Sequence, residues 1–156
     1  MLNRFARRAG RIGDCHFDLF RARTGRHRRM KVIPYDQIEA APVDTPGASG
    51  CKIRCLIDDK DGAPTFAMRH FEVAVGGCTP RHAHPHEHEV FVLQGSGTVM
   101  EGAKEHPLRP GMAVFVPGGV EHQFTNTGTT TLKFLCLIPH IKGAAAAGCT
   151  DACGCR

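Results

Sequence analysis

A chain of 156 residues is long enough for one domain with a full core and too short for two. No stretch approaches the roughly 20 consecutive apolar residues that a membrane-crossing helix needs. The formal charge of +5 is unevenly placed: residues 1–29 hold nine arginines against Asp14 and Asp18, which leaves a slightly acidic remainder. A basic extension is attached to a domain that is not itself basic.

Residues 1–29 admit three readings. Clustered arginines make an arm for nucleic acid or another anionic surface. They also suit an organelle presequence, although the segment contains no serine. The third reading is an upstream extension, because Met30 opens MKVIPYDQIEAAPV, a natural start for a small domain. No apolar core supports a secretory signal, so the cytoplasm is the expected location and its thiols are expected to be reduced.

Residues 30–46 read as irregular, punctuated by Pro34, Pro42 and Pro46. CKIRCLID then reads as a strand, with Cys51, Ile53, Cys55 and Ile57 on one face and Lys52 and Arg54 on the other. Cysteine here serves as a small apolar residue; a Cys-x3-Cys ligand pair is the competing reading. DKDG is a turn. The next strand, TFAMRHFEVAV, alternates Phe66, Met68, His70 and Glu72 against Ala67, Arg69, Phe71 and Val73. HEVFVLQG, GTVMEG, a charged hairpin around residues 103–105, GMAVFVP, HQFTNTG and TLKFLCLIP follow. Strands at about ten-residue spacing with Gly and Pro between them indicate an all-β barrel or jelly roll. No amphipathic helix is expected after residue 40. The chain closes on a small-residue linker and a tail, residues 143–156, with Cys149, Cys153 and Cys155 in no apolar pattern. Those three thiols suit a soft metal, redox exchange or an inert terminus.

The chemistry concentrates in two frames. The first is Gly76-x5-His82-x-His84-x3-His88-x6-Gly95, and the second is Gly111-x5-Pro117-x-Gly119-x2-His122-x3-Asn126. A His-x-His pair in a strand places two imidazoles on one face. His88 returns to that side beyond the Pro85 turn, and His122 closes the set from another strand. Four neutral imidazoles converging on one point suit a borderline divalent transition metal. A dense run such as His82, His84, His86 and His88 also suits a solvated, adventitious metal tag. His88, however, opens an apolar strand where an unpaired ring would be costly. His86 falls in the intervening loop and matches no ligand position. His16, His27, His70, His106 and His140 read as ordinary residues.

These frames resemble those of the cupins, and in particular the small bacterial single-domain cupins with four histidine ligands. The resemblance spans about residues 30–142. It departs from the usual cupin pattern at His88, where a glutamate is usual. It implies a cupin jelly-roll β-barrel, with His82, His84, His88 and His122 holding one octahedral divalent ion that keeps two adjacent open positions. It favours Mn(II), then Fe(II), and implies a homodimer with a small-molecule substrate or ligand, O2 included; no membrane partner is expected, and a nucleic-acid partner is disfavoured, with the arginine arm its one support. Replacing the glutamate by His88 leaves the full +2 charge on the ion and makes it a stronger Lewis acid.

Strand parity adds the expected pocket. Phe124 shares the parity of His122, while Phe134 and Cys136 lie opposite Lys133, so Phe124, Phe134 and Cys136 are expected to face the metal. Cys136 reads either as an oxidisable thiol or as a buried core residue. Glu89 falls on the outer face opposite His88, and Glu87 and Glu121 flank the ligands. An apolar pocket with one Lewis acid favours a metal-dependent oxygenase, a dioxygenase cleaving a C–C or C=C bond of a small aromatic or enol substrate. Two alternatives stand beside it: a non-catalytic ligand or metal/redox-sensing module, and a Lewis-acid isomerase.

Overall fold

The computed structural model describes residues 30–140. The basic segment 1–29 and the cysteine tail with Cys149, Cys153 and Cys155 lie outside the described residues.

Nine strands follow in chain order: β1 (Ala41–Pro42), β2 (Ser49–Ile57), β3 (Phe66–Cys78), β4 (His88–Gln94), β5 (Gly97–Glu101), β6 (Lys104–Leu108), β7 (Ala113–Val116), β8 (His122–Thr125) and β9 (Leu132–Pro139). Every named pairing is antiparallel, and the main path runs β6-β5-β8-β3-β9-β4-β7, with β2 on the other edge of β3 and β1 on β2. Among the described residues the only helical segments are two short 3-10 turns, Tyr35–Gln37 and Asp59–Asp61. The second is the expected DKDG turn, capped by Asp58 and released by Gly62 in the left-handed region. This is the jelly-roll arrangement that the strand spacing suggests.

The fold turns on β3. Its first part, Phe66 to Val73, pairs with β9, and its last residue, Cys78, pairs with Thr125 of β8. One strand therefore joins the β6-β5-β8 part of the sheet to the β9-β4-β7 part, and the corner falls at Gly76 and Gly77. Gly76 has φ +73, and a Cβ on Gly77 would lie 2.5 Å from the Ser49 carbonyl oxygen. Only glycine permits both features. Beyond this corner the chain is aimed at the histidine segment.

Inward-facing residues of the curled sheet form the core: Cys51, Ile53, Phe71, Val73, Val90, Val92, Val99, Leu108, Val116, Phe124, Leu132, Phe134 and Cys136. The alternation expected for β2 holds at Cys51 and Ile53 and then fails. A register shift between Cys55 and Ile57 breaks the period, and Ile57 ends exposed. On β3 the inward set is Ala67, Arg69, Phe71 and Val73. The opposite face is covered as well: His70 is buried against the Tyr35 ring, 4.7 Å between centroids, beside an Arg54–Glu72 ion pair of 2.7 Å.

Candidate metal centre

Three separate pieces of chain deliver the four histidines. His82 lies outside any named strand and forms an isolated antiparallel bridge with His122, the first residue of β8. His84 is in a loop, and His88 opens β4. The expectation of a His82–His84 strand pair is thus corrected. The bridge places His82, and a tight turn at Pro85 and His86 brings His84 round. That turn is fixed from beneath: Gly119 donates its N–H to the His84 carbonyl at 2.7 Å, and the Pro85 carbonyl packs where a side chain on Gly118 would be.

One ligand atom from each of His82, His84, His88 and His122 lies within 4.8 Å of the other three. Three rings are oriented by backbone carbonyls. His82 Nδ1 donates to Pro80 O at 2.9 Å, His84 Nδ1 to His86 O at 2.7 Å, and His122 Nδ1 to Val120 O at 2.9 Å. Each bond places the proton on Nδ1 and leaves Nε2 bare towards the cluster. His82 Nε2 is buried without a hydrogen-bond partner. Burial is the main force that lowers the proton affinity of all four rings; it brings His84 to about 4 and depresses His88 most. Neutral, pre-oriented imidazoles with an orphaned inward nitrogen fit a single divalent ion.

His88 differs. Its Nδ1 faces Arg69 Nη2 at 3.3 Å, and its Nε2 lies 2.6 Å from His84 Nε2. A guanidinium only donates, so His88 Nδ1 accepts and its proton lies on Nε2, directed at His84. Arg69 Nη2 also donates to Cys136 Sγ at 3.0 Å. Burial pushes the Cys136 thiol up, with Arg69 opposing, so it faces Arg69 as a thiol. His86 is buried outside the cluster, stacked on His84 with centroids 3.7 Å apart.

The Cupin domain family matches residues 69–138. The polyketide cyclase RemF from Streptomyces resistomycificus is 37% identical, with a TM-score of 0.68 over 71% of this chain and 80% of that one.

The chain belongs to the cupin family.

Two curated relatives extend the comparison. This cupin is 36% identical over 74 residues to the 1-methylthio-D-xylulose 5-phosphate methylsulfurylase of Rhodospirillum rubrum, a match covering 47% of each, so it spans about half the length of that relative. It is 28% identical over 117 residues to the L-ectoine synthase of Mycolicibacterium gilvum, covering 73% of this chain and 87% of that one. Their named activities differ widely, so the shared fold leaves the reaction open.

Phe124, Phe134 and Cys136 are all buried and line one cavity with Arg69, Phe71, Thr79, His82, His88 and His122, but its volume is only about 20 Å3. Phe134 stacks between Phe71 and Phe124, at 5.1 and 4.9 Å, and nearly fills it. A larger cavity of about 300 Å3 lies where β5 and β6 face β7, the seam between the two ends of the sheet. Its walls are mostly apolar, including Val99, Leu108, Met112 and Val116, and His122 lines it too. The sequence reading missed this cavity, because parity tells which way a residue points and not which two strands leave a gap. It also missed Arg69 as a site residue; a lone charge among Ala67, Phe71 and Val73 was the available signal. Of the flanking acids, Glu89 is exposed on the outer face, while Glu121 pairs with Arg81 at 2.8 Å on the surface.

Proposed function

We propose that this cupin is a metal-dependent oxygenase in which His82, His84, His88 and His122 hold one divalent ion, Mn(II) first and Fe(II) second. When bound, the ion supplies Lewis acidity and a meeting point for a substrate oxygen and O2. The chain orients the ligands through the carbonyls of Pro80, His86 and Val120, excludes water with Phe71, Phe124 and Phe134, and holds the apolar body of a small aromatic or enol substrate in the 300 Å3 seam cavity. Both atoms of O2 enter the products as a C–C or C=C bond is cleaved, so no further reductant is required.

One observation carries the choice. The small cavity beside the histidines is lined by no carboxylate, lysine or tyrosine, and in the seam cavity the one carboxylate, Glu101, is paired with His106 at 3.0 Å. An isomerase has to move a proton; with the histidines committed to the ion, the remaining candidate in the small cavity is Cys136, whose thiol burial holds protonated, whereas a dioxygenase needs no such group. The rival that survives this argument is a non-catalytic binding module. Oxygen uptake by metal-loaded protein, screened over small aromatic and enol compounds, separates the two: substrate-dependent uptake supports the oxygenase, and ligand binding without uptake supports the module.

We also propose a homodimer. The outer face of β4, β7 and β9 carries Phe91, Leu93 and Phe115, which are 45%, 42% and 65% exposed. Cross-strand register sets Leu135 beside Phe91 and Leu137 beside Glu89 on the same face. Adjacent apolar side chains of this size are what a second copy would cover.

A further inference from the structure

Arg69 is 1% exposed and lies in the floor of the metal cavity. Its guanidinium carbon lies 5.2 Å from the centre of the Phe71 ring. Nη2 donates to Cys136 Sγ and faces His88 Nδ1, while Nε is buried with no partner at all. No ion pair among the described residues includes Arg69. A guanidinium removed from water without an anion is costly, and its surroundings here are a thiol, an aromatic face and neutral imidazoles.

A divalent ion on four neutral histidines would add two further positive charges without a counter-charge from its ligands. The cavity then demands an anion, and it is small: about 20 Å3 is room for roughly one water-sized group. We infer that Arg69 is the specificity-determining residue of this cupin, selecting ligands that present a small anionic oxygen head, a carboxylate or an enolate, to the guanidinium and the metal together. This rests on the metal reading above and narrows its substrate class.

A coupling follows from His88. While Arg69 donates to His88 Nδ1, the ring carries its proton on Nε2, the atom required by a metal. An anion that draws the guanidinium to itself lets that proton pass to Nδ1, which can then donate a hydrogen bond to Cys136 Sγ at 3.4 Å. Anion and metal therefore bind with positive cooperativity, and Arg69 is the link.

The test uses the full chain, tag-free, in wild-type, Arg69→Met and Arg69→Lys forms, each titrated with formate and with its neutral counterpart formamide. The titrations are done both metal-free and loaded with Mn(II), with metal content measured throughout. The expected result is formate binding at least tenfold weaker in Arg69→Met than in wild type, with formamide unchanged and Arg69→Lys intermediate. Formate should also tighten Mn(II) binding in wild type and not in Arg69→Met, whose formate-free Mn(II) affinity should exceed that of wild type. Equal formate affinity in wild type and Arg69→Met at equal metal content overturns the inference, as does formate binding to neither. Should wild type hold no metal, the oxygenase reading fails instead, and the metal-free titrations still decide whether Arg69 takes the anion. Arg69→Lys retains the buried charge and serves if Arg69→Met does not fold.

Discussion

His82 and His122 exchange both of their backbone hydrogen bonds, His82 N–H to His122 O at 3.2 Å and His122 N–H to His82 O at 2.9 Å, with their rings 4.6 Å apart. The backbone thus sets half of the candidate ligand set, independently of the imidazoles. We expect His122→Ala to keep the fold, since its N–H and C=O remain in place, and to lose metal. The loss in affinity should exceed the roughly 10–100-fold typical of removing an outer hydrogen-bond partner. Circular dichroism together with metal titration checks both halves.

The turn beneath His84 should be equally sensitive. Gly118→Ala would drive a methyl group into the Pro85 carbonyl, and that carbonyl belongs to the turn that presents His84. We predict destabilisation of about 1–3 kcal/mol, as for other forced overpacking, accompanied by weaker metal binding. Gly102→Ala meets no neighbour within 4 Å but sits at φ +60, so it should cost stability alone and leave metal binding intact. Chemical denaturation and metal titration of the pair separate local geometry from general damage.

Acid should weaken the metal-free protein in a defined window. Above 6.5, the ordinary value, His84 is neutral whether folded or unfolded, and pH has no leverage on it. As pH falls from 6.5 towards about 4, the unfolded chain takes the proton and the folded chain resists it, so stability declines. The full difference corresponds to about 3 kcal/mol. His84→Gln should flatten this part of the profile, and a metal-free wild type with constant stability from pH 7 to about 4 would contradict the account.

The seam cavity offers a test of substrate placement. Met112 and Val116 form its apolar wall. Met112→Trp should occupy part of the 300 Å3 and raise KM for a substrate found by oxygen uptake, with metal content unchanged. An unchanged KM would place the substrate elsewhere.

Association should depend on the outer face of β4 and β7. Phe91→Glu and Phe115→Glu replace exposed rings with charge, and neither residue is one of the four candidate ligands, although Phe115 also lines the seam cavity. Sedimentation should show a dimer in wild type and monomer in the double variant, with metal content preserved.

The histidine frames were legible in sequence because each is local: a bridge, a turn and two strand starts, those of β4 and β8, carry the four rings. Parity likewise placed Phe124, Phe134 and Cys136 inward, as β8 and β9 keep their alternation and the shift beside Phe134 falls on β4, between Val92 and Gln94. Where regularity fails, so does the reading. The shift between Cys55 and Ile57 ends the expected alternation, and His82 and His84 occupy a bridge and a loop rather than one strand. Arg69 is a tertiary fact, as only the pairing of β3 with β9 sets it beside Cys136 and His88.

Elemental analysis of tag-free protein, wild type beside His88→Ala, tests the central claim most directly. About one Mn or Fe per chain in wild type, lost in the variant, is the predicted result. Absence of metal, or a metal content that His88→Ala leaves unchanged, would contradict the four-histidine centre.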